Sequence, residues 1–350
     1  MKIYGLLTIH YYLLIIHYIL GGDKLKQRVL KMLKDSEDFI SGEEISKEFH
    51  MTRAAIWKYI NSLREDGYNI ESVPSKGYKI TSLPDILTLG EVESYLSTNF
   101  IGRNIQYFDT IDSTNKRAKE IAFDENEGTV IISEEQTEGK GRLGRHWISP
   151  KGKGIWMSMI LKPKVDPMKV SKITLLGAAA VYKALEDMNI KSQIKWPNDI
   201  LIDGKKICGI LTEMNCELNM INYVIMGIGI NVNFDEEDIP MDLKDKATSI
   251  KVSQNKEINR KELLGNILNQ FENLYMDFRD EKSISKAIEI CRENSALIDK
   301  EVRIIKREET RVGKALDINE EGELVVEFED GIIENVYSGE VSVRGLNGYV

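Results

Sequence analysis

The chain contains few residues of the kinds that form disulfide bridges or metal sites. Its 350 residues include only three cysteines, Cys208, Cys216 and Cys291, and four histidines. The cysteines form no Cys-x-x-Cys pair and share no metal-ligand spacing with the histidines. A disulfide framework and a zinc site are therefore not expected, and a reducing cytoplasm is the expected location. The length and the hydrophobic share of 42% are enough for two or three domains with ordinary cores.

Charged residues are absent from one run near the N-terminus. The segment from Ile3 to Leu20 has no charged residue, and its length reaches the lower limit of a membrane span. Lys2 is the only basic residue before this segment, and no small-residue cleavage site follows it, so a secretory signal is not expected. We interpret residues 1–23 as an apolar extension of unknown role, with a membrane anchor as the less favoured alternative.

Residues 24–82 have the pattern of a small helical domain. Leu25, Val29 and Leu33 recur at helical spacing, and Ser41 with Glu44 forms a capping box for a second helix. Thr52 is the expected N-cap of a third helix whose inward stripe is Ile56, Ile60 and Leu63. The stripe leaves the following residues facing outward: Arg53, Ala54, Trp57, Lys58 and Asn61.

Two short helices and an exposed basic third helix predict a helix-turn-helix, and "YNIESVPSKGYKI" predicts two wing strands. Residues 24–79 carry 11 lysines and arginines against 9 acidic residues, in a chain of net charge −9. The contrast favours DNA binding only mildly. The alternative is a helical interaction domain with a charged surface.

The central region, residues 83–298, predicts mixed strands and helices. "IQYFDTI" and "TVIISEEQ" read as strands, and Ser113 or Thr114 opens a helix at "DSTNKRAKEIAF". Asp166 and Pro167 are expected to begin a long helix, and "NYVIMGIGINVNF" to be a buried strand ending at a glycine-bounded turn near Asn231. The hydroxyls at the 113–114 corner either contact a ligand or only cap the helix.

A basic, glycine-rich stretch, "EGKGRLGRHWISPKGKG", spans residues 138 to 154. Gly139, Gly141 and Gly144 match G-x-G-x-x-G, but Pro150 and further glycines leave no room for the helix that a dinucleotide site needs. We therefore predict a loop that orders around an anionic ligand. The alternative is a solvated basic turn.

A second polar cluster lies at "QIKWPNDILIDGKKICGIL". Asp203-Gly204 between two apolar runs predicts a hairpin, with Lys206 on the returning strand. The ammonium group of Lys206 either faces developing negative charge or protects a sheet edge from aggregation. Beyond two amphipathic helices, residues 299–350 contain four predicted strands separated by glycine turns, which indicate a small barrel.

Taken in order, "STN", "GKGRLGRHW", "KWPND", "DGKKICGIL" and "GIGINV" resemble the motifs of the biotin protein ligase family. The winged helix-turn-helix resembles that of its bifunctional bacterial members, the biotin operon repressors. The resemblance covers about residues 24 to 345. It implies an α+β chain with a winged helix-turn-helix, a mixed α/β ligase domain like class II synthetases, and an SH3-like β-barrel.

The same resemblance implies an ATP-dependent ligase with Mg²⁺. The enzyme would form biotinyl-5′-AMP and transfer biotin to one lysine of a biotin carboxyl carrier protein. It would also bind operator DNA as a repressor, dimeric when the adenylate is bound and with no membrane partner. A biotin sensor without ligase activity and a ligase with a non-regulatory winged helix are the alternatives.

Site residues follow from the motifs by resemblance. Lys206 and Arg142 are the implied catalytic residues. Biotin contacts are implied for Ser113, Thr114, Asn115, Gln136, Lys140, Gly141, Arg142, Lys206 and Gly209. Adenylate contacts are implied for Arg145, Trp147, Asn198 and Asn231. No resident metal is implied, and Lys140 stands where the family usually has arginine, which removes the forked donor there.

Overall fold

The computed structural model describes residues 25–280, 283–306, 309–339, 341–346 and 349. The chain divides after Asp85 into two compact units. The apolar run from Ile3 to Leu20 lies outside the described residues. Within the described ranges, no helix has the length and apolar character that a membrane crossing requires.

The first unit is a three-helix bundle with a two-stranded wing. Its elements are α1 (25–34), α2 (Gly42–Glu48), α3 (Arg53–Glu65), β1 (Asn69–Val73) and β2 (Gly77–Ser82). The predicted N-caps are confirmed, because the Ser41 side chain accepts from the Glu44 amide and the Thr52 side chain from the Ala55 amide. The predicted stripe of α3 is buried with α1 and α2, and β1 pairs antiparallel with β2. The helix-turn-helix with its wing is therefore confirmed.

The second unit contains a seven-stranded mixed sheet. The strand order is β3-β4-β5-β9-β8-β7-β6, in which only β3 and β4 run parallel. The strands are β3 (Ile105–Phe108), β4 (Val130–Ser133), β5 (Gly154–Leu161), β6 (Gln193–Lys195), β7 (Asp199–Ile202), β8 (Lys205–Glu217) and β9 (Met220–Asn231). The helices are α4 (Leu89–Val92), α5 (Thr114–Ile121), α6 (Ser171–Asp187), α7 (Ile250–Gln254), α8 (Arg260–Arg279) and α9 (Ser285–Glu293).

Helices cover both faces of this sheet. Alternation along β4 explains the arrangement, because Val130 and Ile132 enter the main core with α6 and α8, whereas Ile131 packs with Ala118 of α5. Burial of both faces is why these strands are apolar runs rather than alternating ones.

Two local predictions are wrong. Asp166 caps a short 3₁₀ turn, Pro167–Lys169, and the long helix begins only at Ser171. The glycines near Asn231 bound no turn, since Gly227 and Gly229 lie inside β9 and pair with both neighbouring strands. They are small because the side chains of Asn115 and Trp147 occupy the space where a Cβ would stand.

The C-terminal part of the second unit is a five-stranded antiparallel sheet in the order β13-β12-β11-β10-β14. Its strands are β10 (Glu301–Lys306), β11 (Glu309–Ile318), β12 (Leu324–Phe328), β13 (Ile333–Val336) and β14 (Val341–Gly345). The four predicted strands correspond to β11 to β14, and β10 adds a fifth. The α+β class is confirmed.

Candidate functional site

The N-terminus of α5 forms one wall of a cleft. Ser113 caps the helix, so the hydroxyl at this corner does act as a cap. Thr114 donates from its amide and its hydroxyl to Gln136 Oε1, at 2.9 and 3.0 Å. Gln136 Nε2 donates in turn to Ser149 Oγ at 3.0 Å. The amide of Gln136 is thereby fixed, with its orientation set by three hydrogen bonds.

Asn115 lies in the floor of the same cleft and is held from two sides. Its Oδ1 accepts from the buried hydroxyl of Ser158 at 2.5 Å, and its Nδ2 donates to Glu213 Oε2 at 2.8 Å. Gly227 provides the space for this side chain. A side chain ordered in this way can present polar atoms to a ligand at little entropic cost.

The glycine-rich loop forms a short hairpin over the cleft. Gly141 donates to the Arg145 carbonyl at 2.7 Å, and Trp147 to the Gly139 carbonyl at 2.8 Å. Between them lies a single 3₁₀ turn, Arg142–Gly144, in which Leu143 and Gly144 have left-handed φ values of 58° and 71°. No α-helix follows, so the rejection of a dinucleotide site holds.

Arg142 reaches from this hairpin across the cleft. Its Nη1 donates to Asn198 Oδ1 at 2.7 Å, and its Nη2 donates to the carbonyls of Gly339 and Val341 at 2.8 and 2.9 Å. Burial lowers the pKa of the guanidinium group from its usual value. At Arg142 the interpretation as a solvated basic turn is wrong.

Lys206 lies inside the sheet rather than at its edge. At Lys206, β8 pairs with Leu201 of β7 on one side and with residues 246–248 on the other, so the interpretation of Lys206 as an edge guard is wrong. Its Nζ lies 2.5 Å from Asp199 Oδ1 and 5.1 Å from the ring centroid of Trp147. Burial alone would raise the pKa of Asp199, but the Lys206 ammonium and the hydrogen bonds to this carboxylate lower it.

Trp147 packs against two glycines of the sheet. A Cβ on Gly209 would lie 3.0 Å from its ring, and one on Gly229 would overlap its indole nitrogen. That nitrogen, Nε1, is buried and has no hydrogen-bond partner among the described residues. Trp147 lines both the cleft and a larger cavity beside it.

The larger cavity has a volume of about 320 Å³ and is strongly positive. Asn198 is held by its bond to the Ile210 carbonyl at 3.1 Å, and Asn231 by its bond to the Thr248 carbonyl at 3.0 Å. Of the described residues that line the cavity, one is acidic, Asp199. The cationic ones are Arg142, Arg145, Lys195, Lys206, Lys246 and Arg344. A concave site of this charge suits a polyphosphate.

The structure brings the predicted site residues together in these two adjoining spaces. All nine residues proposed to contact biotin line the cleft, and all four proposed to contact the adenylate line the cavity. The DNA-contact candidates belong to α3 of the first unit, where Arg53, Ala54, Trp57 and Lys58 are exposed and Asn61 is half-buried.

Sequence reasoning missed several residues of the cavity, among them Lys195, Asp199, Lys246, Arg344 and Tyr349. Lys195 and Asp199 lie within the "KWPND" segment, which is buried. The signal that could have identified them was a lysine and a carboxylate inside a recognised motif. Arg344 and Tyr349 come from the C-terminal part of the chain and carry no local signal for this position. Among the described residues, no cluster of three or more metal-binding side chains occurs.

Comparison with known proteins finds three family models along the chain. They are the HTH domain at residues 26–79, the Biotin/lipoate A/B protein ligase family at 107–231 and the Biotin protein ligase C terminal domain at 297–344.

Individual relatives match over most of their length. The Bifunctional ligase/repressor BirA of Bacillus subtilis is 41% identical over 309 residues, which are 87% of this chain and 94% of the relative. The protein of the same name from Escherichia coli is 27% identical over 91% of this chain and 96% of its own. The solved structure of biotin protein ligase from Aquifex aeolicus, in complex with biotin and ATP, has a TM-score of 0.61. It is 32% identical and covers 69% of this chain and 99% of its own.

Proposed function

The chain belongs to the family of bifunctional biotin protein ligases and repressors, and we propose that it activates biotin with MgATP, transfers it to a carrier protein, and represses transcription. The observation that best supports this proposal is that the polar cleft adjoins the cationic cavity at Lys206, which lines both. Biotin has a polar ring at one end and a carboxylate at the other. The polar ring would enter the cleft, and the carboxylate would then meet the nucleotide at the junction.

Biotin recognition in this proposal uses the cleft residues in two ways. Ser113, Thr114, Asn115 and Gln136 offer fixed donors and acceptors to the ring, and Gly209 leaves room for the chain. With the hairpin in its present position the cleft holds about 50 Å³, so we propose that the hairpin moves as ligand enters. Lys140, Gly141 and Arg142 then close over it.

The first chemical step is an in-line displacement at phosphorus. A biotin carboxylate oxygen attacks the α-phosphorus, the bond to the bridging oxygen breaks, and pyrophosphate leaves with its electron pair. Positioning and charge neutralisation dominate such a step, so no acid or base is required. Lys206 and Arg142 would stabilise charge at the reacting phosphate, while Arg145, Trp147, Asn198 and Asn231 would hold the nucleotide.

In the second step, the neutral amine of a carrier lysine attacks the acyl carbon, the bond from that carbon to the phosphate oxygen breaks, AMP leaves with the electron pair, and the new amide nitrogen loses one proton to solvent. The mixed anhydride is readily hydrolysed, and the closed hairpin would shield it from water.

In the proposed repressor role of the chain, α3 would enter the major groove of operator DNA. We propose that the adenylate-bound chain binds a palindromic operator as a homodimer and acts in the cytoplasm.

Biotin-dependent exchange of ATP with labelled pyrophosphate tests the enzyme. Lys206→Ala should lose this exchange, because it removes the ammonium at the junction. Lys205→Ala is the matched control, since the Lys205 ammonium points to the Lys244 carbonyl. A near-normal rate in Lys206→Ala would contradict the role of Lys206, and a wild-type chain without exchange would contradict the ligase.

Carrier labelling and DNA binding distinguish the two parts of the proposal. The purified chain should transfer biotin to an acceptor lysine of a carrier domain when ATP is present. In a gel shift with its own biotin-gene promoter, biotin and ATP together should strengthen binding. Labelling without any shift would leave the ligase and refute the repressor.

A further inference from the structure

Tyr349 lies inside the cationic cavity and contacts two of its buried charged residues. Its carbonyl oxygen accepts from Lys195 Nζ at 2.6 Å, and its ring centroid is 3.4 Å from the same ammonium. Its hydroxyl donates to Asp199 Oδ2. One residue from the C-terminal part of the chain therefore satisfies a cation and an anion of the "KWPND" segment together.

The two charged residues are deeply enclosed. Lys195 is 3% exposed and Asp199 is 8% exposed. A buried charge is unfavourable unless hydrogen bonds or an opposite charge compensate it. Asp199 holds Lys206 through its other oxygen, Oδ1, at 2.5 Å. The Tyr349 hydroxyl and the Lys206 ammonium thus fix the two oxygens of one carboxylate.

Building on the proposed ligase function, we propose that Tyr349 is a positioning residue for adenylate formation, acting through Lys195 and Asp199. Its ring and carbonyl orient the Lys195 ammonium at the wall of the nucleotide cavity. Its hydroxyl fixes the Asp199 carboxylate and, through it, the position of Lys206. The first effect concerns ATP binding and the second concerns the chemical step, so the two are separable by experiment.

The charges that face Lys195 come from several elements. Asp199 on β7 favours its protonated form, whereas Arg344 on β14, Lys206 on β8 and Arg145 in the hairpin oppose it. Burial, together with these cations, lowers the pKa of Lys195 to about 7. Lys195 is therefore charged below about pH 7, and its attraction for phosphate weakens as the pH rises through that value.

Three variants separate the contacts. Tyr349→Phe keeps the ring over Lys195 and removes only the hydroxyl, whereas Tyr349→Ala removes the hydroxyl and the ring and keeps the backbone carbonyl that accepts from Lys195 Nζ. Tyr337→Ala is the matched control, because Tyr337 belongs to the same C-terminal part and is 68% exposed. For each, kcat and the KM for ATP in biotin-dependent exchange are measured from about pH 6 to about pH 9, on both sides of the Lys195 pKa.

Tyr349→Phe should lower kcat roughly tenfold with little change in the KM for ATP, as expected for the loss of a hydrogen bond to a charged group. Tyr349→Ala should show the same fall in kcat and a KM for ATP raised roughly tenfold. In Tyr349→Ala, water should also reach Lys195. The pH at which ATP affinity declines should therefore rise above about 7. Tyr337→Ala should match the wild type.

Calorimetry of ATP binding to the same full-length proteins tests this proposal separately from the ligase proposal, because it does not depend on exchange activity. Equal ATP affinity and equal pH dependence in the wild type and Tyr349→Ala would overturn the role of Tyr349, whether or not exchange occurs. Tighter ATP binding by Tyr349→Ala would also overturn it, because the ring would then obstruct the nucleotide. Exchange activity with unchanged kcat in both Tyr349 variants would refute the positioning of Lys206 and leave the ligase standing.

Discussion

Replacing Gly227 by alanine is expected to damage the proposed biotin cleft without direct contact with the reacting atoms. A Cβ at this position would lie 2.9 Å from Asn115 Cγ and 3.0 Å from Nδ2, and closer still to Oδ1. Asn115 is 8% exposed and Ser158 behind it is fully buried, so the amide can move only toward the cleft. The methyl group must therefore displace Asn115 from its bonds to Glu213 and Ser158.

The magnitude follows from those contacts. Inserting a methyl group into a packed interior lowers the free energy of unfolding by about 1 to 3 kcal/mol. If the Asn115 amide contacts biotin, misplacing it removes one hydrogen bond of about 1.4 kcal/mol, which corresponds to about a tenfold rise in the Kd for biotin. The two effects are measured separately, by denaturant unfolding and by biotin titration calorimetry.

Gly42→Ala provides the control for the glycine substitution itself. Gly42 is the first residue of α2, and an added Cβ meets its nearest atom at an ordinary 3.4 Å. We expect biotin affinity to be unchanged in this variant. A folded Gly227→Ala protein with a biotin Kd within about twofold of the wild type would refute the placement of Asn115 in the biotin site.

Two further predictions concern stability and DNA binding. Glu134→Gln breaks a buried ion pair with Arg260, 2.8 Å long and with side chains 3% and 0% exposed, and should lower the free energy of unfolding by about 3 to 5 kcal/mol. Asp109→Asn is the control, because it breaks the exposed ion pair of Asp109 with Lys151 and should lower the free energy of unfolding by less than about 1 kcal/mol. Both free energies are measured by urea unfolding, and equal losses in the two variants would contradict the prediction. Lys58→Ala should weaken operator binding and reduce the slope of log affinity against log salt by about 1; Lys31→Ala, exposed on α1, should leave that slope unchanged.

The first unit was predictable from local signals. Ser41 and Thr52 cap their helices by bonding to amides three residues ahead, which depends only on nearby sequence. The apolar stripe of α3 likewise follows from helical spacing. Asp166 shows where local signals are less secure, because its cap bond begins a 3₁₀ turn and the α-helix starts later.

Candidate site residues were also recognisable, because the ligase motifs are short and each is contiguous in sequence. Their grouping was not visible there: "STN" lies on α5, the hairpin follows β4, and Lys206 lies on β8. Only the strand order places these segments beside one another. Pairing with β7 and with the distant residues 246–248 decides that Lys206 is interior, a point on which the sequence left two interpretations open.

The sequence by itself therefore determined the helices of the first unit, the caps at Ser41 and Thr52, the Asp203-Gly204 turn between β7 and β8, and the chemical identity of the charged residues. Those properties depend on neighbours within a few positions along the chain. Only the tertiary structure decided why Gly227 and Gly229 must lack side chains, and that Tyr349 meets Lys195 and Asp199. The physical reason is that these requirements are set by atoms from distant parts of the chain, brought together by the packing of the sheet.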